Sequence, residues 1–522
     1  MFPIKYFDTH LKLKDGVKLI SRIWQPEGDG PWPALLMRQP YGREIASTLT
    51  YAHPTWWASK GYLVIIQDVR GQGGSEGIFQ GFSQEANDTS ETHEWVRALD
   101  GCNGKLGLYG FSYQGLTQLT GKEFSTPPDC LSPAMTGLSI RDHWCCHGGA
   151  FFWHNNITWA LQIAALKMKR DKNITGWEEI RSNLENKFYL RNGLELIKKF
   201  DPENFIIKWL NILEENKTFD EIIPLSSWLK KPMLIYGGLW DPHLRGSFDL
   251  YQKSKDAGGD PEIIISNSSH INWWEESQYT LLSFFEKHLK KSDNQKNNVV
   301  KNKKIWNISQ KNWDNIEDKS LSYEFGLISD GIANIETKDG SLSTNSKSLG
   351  FVSIVHDPWR PTSIDGGHLG PNPGIFNRKD IDKRLDVAIF QTNYLKENIH
   401  IFGIPILCTL VTSDKESFDI CLALSLVDKD DDIVKQFSTG FFRVNKNPIN
   451  QKKECTIEFQ PTNITLPKGN KLRLSIAASA WPAIGVNTGC VNKNLNIVGF
   501  NHEITTLNFD LSKSIMKINP FF

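Results

Sequence analysis

The chain has 522 residues, of which 39% are hydrophobic and 23% charged, and its formal net charge is zero. This composition predicts a soluble globular protein of several domains. The balanced charge gives no electrostatic reason to expect nucleic acid or an anionic membrane as a partner.

Cysteine usage and the N-terminus suggest the compartment. The eight cysteines show no paired C-x-x-C spacing, so we expect free thiols in a reducing compartment. The first residues lack an apolar segment behind a basic start, and no run approaches the length of a bilayer span. We therefore expect a cytoplasmic protein without a membrane anchor.

Strands and helices alternate over the first third of the chain. Asp15-Gly16 marks a hairpin between two strand-like segments. The next segments are strands at Ala34–Met37 and Tyr62–Gln67 and helices at Trp56–Ser59 and Glu85–Leu99. This order is typical of a mainly parallel sheet covered on both faces.

A serine motif follows the next strand. Lys105–Phe111 runs into Gly110-Phe111-Ser112-Tyr113-Gln114-Gly115, and we expect a helix over Leu116–Glu123. A strand, a sharp turn with serine at its tip and a helix make a nucleophile elbow. Its second glycine comes one residue later than usual, because Gln114 occupies the usual position. An ordinary strand-to-helix turn is the alternative reading.

The alternation then breaks and resumes. Residues 139–227 have a helical pattern without a strand-like run, clearest at Ile157–Met168 and Trp177–Phe188. Beyond them we expect strands at Pro232–Gly237 and Glu262–Ser266, and helices at Phe248–Asp256 and Gln278–Lys290. A helical insertion between two halves of one sheet predicts a capped α/β domain.

The last part is rich in β-strand patterns. Lys290–Lys304 has the composition of a solvated connector. The segments beyond it alternate with turn residues and predict a jelly-roll β-sandwich; the clearest are Phe402–Val411, Asp419–Val427, Glu454–Phe459 and Lys471–Ala477. We divide the chain into an α/β-hydrolase core (1–138 and 228–300), a helical cap (139–227) and a jelly roll (301–522).

Two residues at strand ends can complete a catalytic triad with Ser112. Asp241 follows the strand Pro232–Gly237, and His270 follows the strand Glu262–Ser266. In α/β-hydrolases the acid and the histidine follow the serine in this order, each at the carboxyl end of a strand. The alternatives are His243 as the base, and a helix-capping role for Asp241.

Several motifs resemble those of the cocaine-esterase-like acyl hydrolases, relatives of α-amino-acid ester hydrolases and X-prolyl dipeptidyl aminopeptidases. The late glycine of the serine motif fits that family's Gly-x-Ser-Tyr-x-Gly pattern. Other matching segments, distributed over nearly the whole chain, are 38–42, 67–77, 94–96, 103–105, 147–151, 240–241, 357–358, 366–367, 384–386 and 468–473. The resemblance implies an α/β-hydrolase core, a helical cap and a C-terminal jelly roll.

The same resemblance implies roles for five residues. Ser112 is the nucleophile, His270 the general base and acid, and Asp241 the carboxylate that orients the histidine. The oxyanion hole is built from the amide of Tyr113 and the hydroxyl of Tyr41. The chain departs from the family in Ser268-Ser269-His270-Ile271, where relatives often carry Trp-Ser-His-Gly.

Substrate contacts are harder to assign from the sequence. The candidates are Gln114 beside the serine, Trp144, Phe151, Phe152, Trp153 and Trp159 in the cap, and Trp240 before the aspartate. An aromatic stripe of this kind is equally typical of a packed core. A site for a free α-amino group needs a carboxylate. Gln114 is neutral, and Glu178 and Glu179 in the cap are equally well explained as solvent-exposed surface residues.

We therefore predict a serine hydrolase that cleaves the ester bonds, and as a further option the amide bonds, of small acyl substrates. The alternatives are an X-prolyl dipeptidyl aminopeptidase or α-amino-acid ester hydrolase, an acyltransferase, and a jelly-roll binding protein with a decayed hydrolase core. We predict no cofactor and no metal ion, since no metal-ligand cluster emerges. A homo-oligomer stays open.

Overall fold

The structure is a computed structural model. It describes residues 2–44, 50–215, 217–290, 302–316, 321–344, 348–430, 432–490 and 502–519. The described chain forms an α/β-hydrolase core, a helical cap inserted into it, and a C-terminal β-sandwich.

The core is built on a ten-stranded sheet. Its strands are β1 Ile4–Lys12, β2 Lys18–Pro26, β3 Trp32–Gln39, β4 Leu63–Asp68, β5 Cys102–Phe111, β6 Cys130–Ala134, β9 Leu234–Trp240, β10 Glu262–Ser269, β11 Lys303–Asn307 and β12 Asn312–Asn315. They lie in the order β1-β2-β4-β3-β5-β6-β9-β10-β11-β12. The six central pairings from β4 to β11 are parallel, and the outer ones are antiparallel.

Helices cover both faces of this sheet because its central strands are apolar on both sides. In β3, Leu36 packs in the hydrophobic cluster that contains Val96 of the helix Glu85–Arg97, whereas the adjacent Leu35 packs in the cluster that contains Phe285 of the helix Ser277–Leu289. All residues of β4 and β9 are buried, as expected of parallel strands between two helical layers. The core helices are α1 Pro54–Ser59, α2 Glu85–Arg97, α3 Tyr113–Leu116, α8 Ser226–Leu229, α9 Leu244–Asp256 and α10 Ser277–Leu289.

The cap is mainly helical. Its described residues form a π-helix at Ile140–Cys145 and, after it, the four α-helices α4 Trp153–Arg170, α5 Ile174–Glu185, α6 Tyr189–Phe200 and α7 Phe205–Glu214. A short hairpin, β7 Cys146–His147 and β8 Ala150–Phe151, precedes them, so the expectation that no strand interrupts this region is wrong. Two residues per strand are too few to produce an alternating pattern in the sequence.

The C-terminal sandwich contains the remaining strands. They are β13 Tyr323–Ile328, β14 Ser341–Ser343, β15 Phe351–His356, β16 Phe376–Asn377, β17 Ala388–Gln391, β18 Ile399–Ser413, β19 Phe418–Val427, β20 Val434–Val444, β21 Lys453–Glu458, β22 Thr462–Leu466, β23 Lys471–Ala477 and β24 Thr505–Asn519. Its pairings are antiparallel except that between β14 and β17.

Two local features differ from the sequence expectations. The helix expected at Leu116–Glu123 is instead α3, Tyr113–Leu116, followed by turns. Its early end leaves the side-chain amide of Gln118 free to bond the carbonyls of Gly110 and Ser132. Of the expected connector Lys290–Lys304, residues 291–301 lie outside the described residues; β11 and β12, beyond the expected boundary at 300, extend the core sheet.

Main-chain hydrogen bonds connect the sandwich to the segment that leads into the cap. The main-chain N–H groups of Trp153 and His154 donate to the carbonyls of Ala483 and Pro482, at 3.0 Å each. The N–H of Arg443 donates to the carbonyl of Gly148 at 2.9 Å. The sandwich and the start of the cap are therefore packed directly against each other. No helix in the described part of the chain is long and apolar enough to cross a membrane.

Candidate active site

Ser112 stands at the tip of a strained turn between β5 and α3. Its φ of 57° and ψ of −127° lie in a region that non-glycine residues rarely adopt. Its N–H donates to the carbonyl of Ala134 at the end of β6, at 2.9 Å. The side chain of Ser112 thus projects from the carboxyl edge of the sheet, as a nucleophile elbow requires.

The two glycines of the motif lie where neighbouring atoms come too close to leave room for a side chain. A Cβ on Gly110 would lie 2.4 Å from Cβ of Gln114, on the first turn of the helix. A Cβ on Gly115 would lie 2.9 Å from the carbonyl oxygen of Ala134. The late glycine, Gly115, therefore lets α3 pack against the end of β6. Position 114 can carry a glutamine because that side chain is directed into the protein interior.

Asp241 and His270 meet at the ends of two neighbouring parallel strands, β9 and β10. Nδ1 of His270 lies 2.5 Å from Oδ2 of Asp241. Asp241 is fully buried, whereas the His270 side chain keeps 30% of its surface exposed. A buried carboxylate on Nδ1 fixes the imidazole so that Nε2 is free to accept a proton.

The second carboxylate oxygen of Asp241 shapes its own loop. Oδ1 accepts a 2.8 Å hydrogen bond from the N–H of His243. The N-cap residue of α9 is His243 and not Asp241. The capping alternative for Asp241 therefore does not describe its main contact, which is His270.

His243 is a buried neighbour of His270. Their ring centroids are 5.3 Å apart, and the His243 ring also packs 4.3 Å from that of Trp144. Its Nδ1 lies 2.7 Å from the carbonyl oxygen of His143, which makes Nδ1 the protonated nitrogen. Burial lowers the pKa of His243 to about 4, so its ring is neutral at pH 7.

Tyr41 lies beside the serine. Burial raises the pKa of the Tyr41 hydroxyl to about 12, and interactions with Trp159 and Ser112 partly oppose that rise. A hydroxyl with this pKa keeps its proton at neutral pH. Tyr41 can therefore donate a hydrogen bond next to Ser112.

The Tyr113 side chain points away from the site and anchors the elbow. Its hydroxyl lies 2.7 Å from both Oε1 of Glu85 and the carbonyl oxygen of Gly81. Oε2 of Glu85 accepts a 2.6 Å hydrogen bond from Nη1 of Arg38. All these side chains are buried, so Tyr113 can contribute its main-chain amide, and not its hydroxyl, to an oxyanion hole.

One cavity of about 640 Å³ contains Ser112, His270 and Tyr41. Its walls come from all three parts of the protein. Four predicted substrate-contact residues line it: Trp144, Phe152, Trp159 and Trp240.

The other three predicted contact residues lie outside this cavity. The Gln114 side chain is buried and donates to Oε1 of Gln39 at 3.0 Å. Phe151 and Trp153 belong to the cap core, and Nε1 of Trp153 donates to the carbonyl of Leu190. We attribute packing roles to them, because consecutive aromatic residues at the start of α4 point in different directions.

Sequence reasoning missed the polar part of the wall. The cap contributes Asn155, Thr158 and Gln162, and the sandwich contributes His368 and Asn372. Asn155, Thr158 and Gln162 share one face of α4 with Trp159, at the three- to four-residue spacing of a helix. The sandwich residues had no signal, since they lie more than 200 positions from the serine motif.

Metal-ligand groups are absent from the described residues: no three His, Cys, Asp or Glu side chains are arranged to hold an ion.

Comparison with known proteins identifies the family. The profile of the X-Pro dipeptidyl-peptidase (S15 family) matches residues 15–272, and that of the X-Pro dipeptidyl-peptidase C-terminal non-catalytic domain matches residues 287–511. Cocaine esterase of Rhodococcus sp. (strain MB1 Bresler) is 24% identical over 526 residues, 91% of each chain. The chain belongs to the cocaine-esterase-like, S15-related serine hydrolases.

Several solved structures match the fold of nearly the whole chain. An aminopeptidase from a marine sediment Thaumarchaeota archaeon has a TM-score of 0.76 at 16% identity, covering 99% of this chain and 97% of its own. An α-amino acid ester hydrolase has a TM-score of 0.69 at 18% identity, covering 99% and 96%. A CocE/NonD family hydrolase from Staphylococcus aureus has a TM-score of 0.70 at 16% identity, covering 98% and 93%. These likenesses establish the α/β-hydrolase fold of this S15-type enzyme.

Proposed function

We propose that this enzyme hydrolyses carboxylic esters of small, uncharged acyl groups through Ser112, His270 and Asp241. The observation that carries the proposal is the 2.5 Å contact between His270 and the buried Asp241, in the cavity that also contains Ser112. Serine alone is a poor nucleophile at neutral pH, and a histidine oriented by a carboxylate activates it.

The reaction follows from the roles of these side chains. Nε2 of His270 removes the Ser112 proton as Oγ attacks the acyl carbon, and then gives that proton to the departing alkoxide. Water, deprotonated by the same nitrogen, attacks the acyl carbon; the bond to Oγ of Ser112 then breaks, the acid leaves, and His270 returns the proton to Oγ. The amide of Tyr113 and the hydroxyl of Tyr41 donate to the carbonyl oxygen as it acquires negative charge.

The cavity favours an uncharged acyl group. Its described lining contains no Asp or Glu side chain. Glu179 instead pairs with Lys199 at 2.8 Å on the cap surface, and Glu178 is exposed. An α-ammonium group entering this cavity would lose its hydration without gaining a carboxylate partner.

Hydrolysis of aminoacyl esters or X-Pro amides is the second candidate. It is supported by the S15 profile itself, and the lack of a lining carboxylate weighs against it. The same acyl-enzyme also allows transfer to a nucleophile other than water.

Intact-mass spectrometry after treatment with a fluorophosphonate tests the nucleophile. We expect one adduct on the wild type, and none on the Ser112→Ala or His270→Ala variants. Ser83→Ala, an exposed serine outside the cavity, is the matched control and should be labelled fully. A folded wild type that forms no adduct would refute serine catalysis.

Substrate class is tested by kcat/KM on p-nitrophenyl acetate, the p-nitrophenyl ester of glycine and an X-Pro p-nitroanilide, each divided by the rate constant of its uncatalysed hydrolysis. We expect the acetyl ester to be the best. A preference for the glycyl ester or the X-Pro amide would replace the esterase proposal by the second candidate.

A further inference from the structure

A second cavity adjoins the first, behind the indole of Trp159. This cleft has a volume of about 410 Å³ and lies between α2 of the core and α7 of the cap. Of the described residues, Trp159 alone lines both the cleft and the active-site cavity. The indole is therefore the wall that the two spaces share.

Trp159 stands close to the reacting groups. Its side chain interacts with the Tyr41 hydroxyl, which also interacts with Ser112. Nε1–H is the only polar group of this side chain, so any hydrogen bond from Trp159 to the Tyr41 hydroxyl comes from it. Replacing the indole by alanine would remove this contact and also open the wall next to the serine, so the test reads the dependence of kcat/KM on chain length and not its absolute value.

The cleft is suited to an apolar chain. Its inner surface is made by Phe82, Ile140, Phe205, Trp209 and Ile222, and its charged groups are Lys208, Asp220 and Glu221. The Trp159 ring packs most closely against Phe205, with ring centroids 4.3 Å apart. Hydrocarbon surfaces of this kind bind alkyl groups by removing them from water.

We propose that Trp159 sets the upper length of the acyl group by closing the active-site cavity against this cleft. The ligand of the opened cleft is the alkyl end of a longer acyl chain whose carbonyl carbon lies at Ser112. This inference rests on the proposed ester hydrolysis, and it names the residue that limits the substrate.

The test compares p-nitrophenyl esters from acetate to laurate. We expect wild-type kcat/KM to fall once the chain exceeds the cavity. For Trp159→Ala the optimum should move to longer chains, with a gain of about fourfold for each methylene that enters the cleft. Trp177→Ala, in cap helix α5 and outside both cavities, is the matched control and should keep the wild-type profile. An unchanged profile in Trp159→Ala would overturn the proposal.

A second substitution tests the cleft itself. Ala86 is partly exposed and lines the cleft but not the active-site cavity. Adding Ala86→Phe to Trp159→Ala should fill the cleft and abolish the gain for long chains. A gain that survives the filling would show that the chain goes elsewhere.

One measurement needs no variant. Wild-type Ser112 should react more slowly with a dodecyl than with an ethyl fluorophosphonate; equal rates would refute a length limit at Trp159 even if Trp159→Ala does not fold. Failure of the proposed function looks different, because then neither probe labels Ser112. Labelled Ser112 with an unchanged length profile refutes only the role of Trp159.

Discussion

The side-chain amide of Gln460 donates a 2.9 Å hydrogen bond to the main-chain carbonyl of Asp241. Gln460 belongs to the C-terminal sandwich, 219 residues away from the aspartate along the chain. The sandwich holds Gln460 in turn, since its N–H donates to the carbonyl of Thr439 and its carbonyl accepts from Oγ of Ser438. The sandwich therefore positions the loop that carries the proposed catalytic acid.

Gln460→Leu should lower kcat about tenfold and leave KM nearly unchanged. Loss of this buried hydrogen bond costs about 1 kcal/mol. It leaves the Asp241 carbonyl with only the N–H of Leu244, at 3.2 Å, so the aspartate is held less firmly against His270. Steady-state kinetics and the rate of fluorophosphonate labelling should fall by the same factor. Gln451→Leu, on an exposed loop of the same sandwich, is the control. Equal kinetics for Gln460→Leu and the wild type would contradict the positioning role.

Tyr41→Phe should reduce kcat by about 10²-fold, the effect of removing one oxyanion donor, while the enzyme stays folded. The pKa of Tyr41 is raised to about 12 by burial, so its hydroxyl remains a donor throughout pH 6–10. We therefore expect the ratio of wild-type to variant kcat to stay constant over this range. A ratio that declines between pH 8 and 10 would show that the hydroxyl ionises earlier. Tyr279→Phe, an exposed tyrosine, should behave as the wild type.

Tyr113→Phe should destabilise the fold by about 1–3 kcal/mol, because it leaves buried oxygens of Glu85 and Gly81 without the hydroxyl. Urea unfolding followed by tryptophan fluorescence measures this change. The amide that we assign to the oxyanion hole remains, so residual esterase activity should exceed that of Ser112→Ala by orders of magnitude. A stability equal to the wild type would mean that water replaces the hydroxyl.

Stability should fall in mild acid, in part through His93. Burial, with Arg38 and Arg97 nearby, lowers the pKa of His93 to about 3, below the value of about 6.5 in an unfolded chain. The unfolded state thus binds one more proton below pH 6.5. The stability from this neutral ring is complete above pH 6.5 and is lost as the pH falls toward 3.

His93→Phe tests this linkage. From pH 6.5 to 4.5 the wild type should lose about 2–3 kcal/mol of unfolding free energy through this group. Phe can keep the packing on Trp228, whose ring centroid lies 5.3 Å away, and cannot take up a proton. Its pH slope should therefore be smaller, whereas the exposed-site control His10→Phe should keep the wild-type slope. Parallel slopes for His93→Phe and the wild type would refute the assignment.

Local sequence signals are sufficient to predict the fold class and the candidate triad residues. Strand, turn and helix signals are local, and the carboxyl ends of parallel strands meet at one edge of a sheet. For this reason Ser112, Asp241 and His270 were expected together before any contact was known. The family motifs added Tyr41, whose position relative to the serine no local pattern specifies.

The surroundings of these residues depend on how distant parts of the chain pack together. Phe151 and Phe152 are adjacent in the chain, yet one lies in the cap core and the other in the cavity wall. The contact of Gln460 with Asp241, His368 in the wall, and Trp159 between two cavities all arise where separate parts of the chain pack together. Such contacts depend on shape and distance across domains, and the spacing of residues along the sequence carries no record of either.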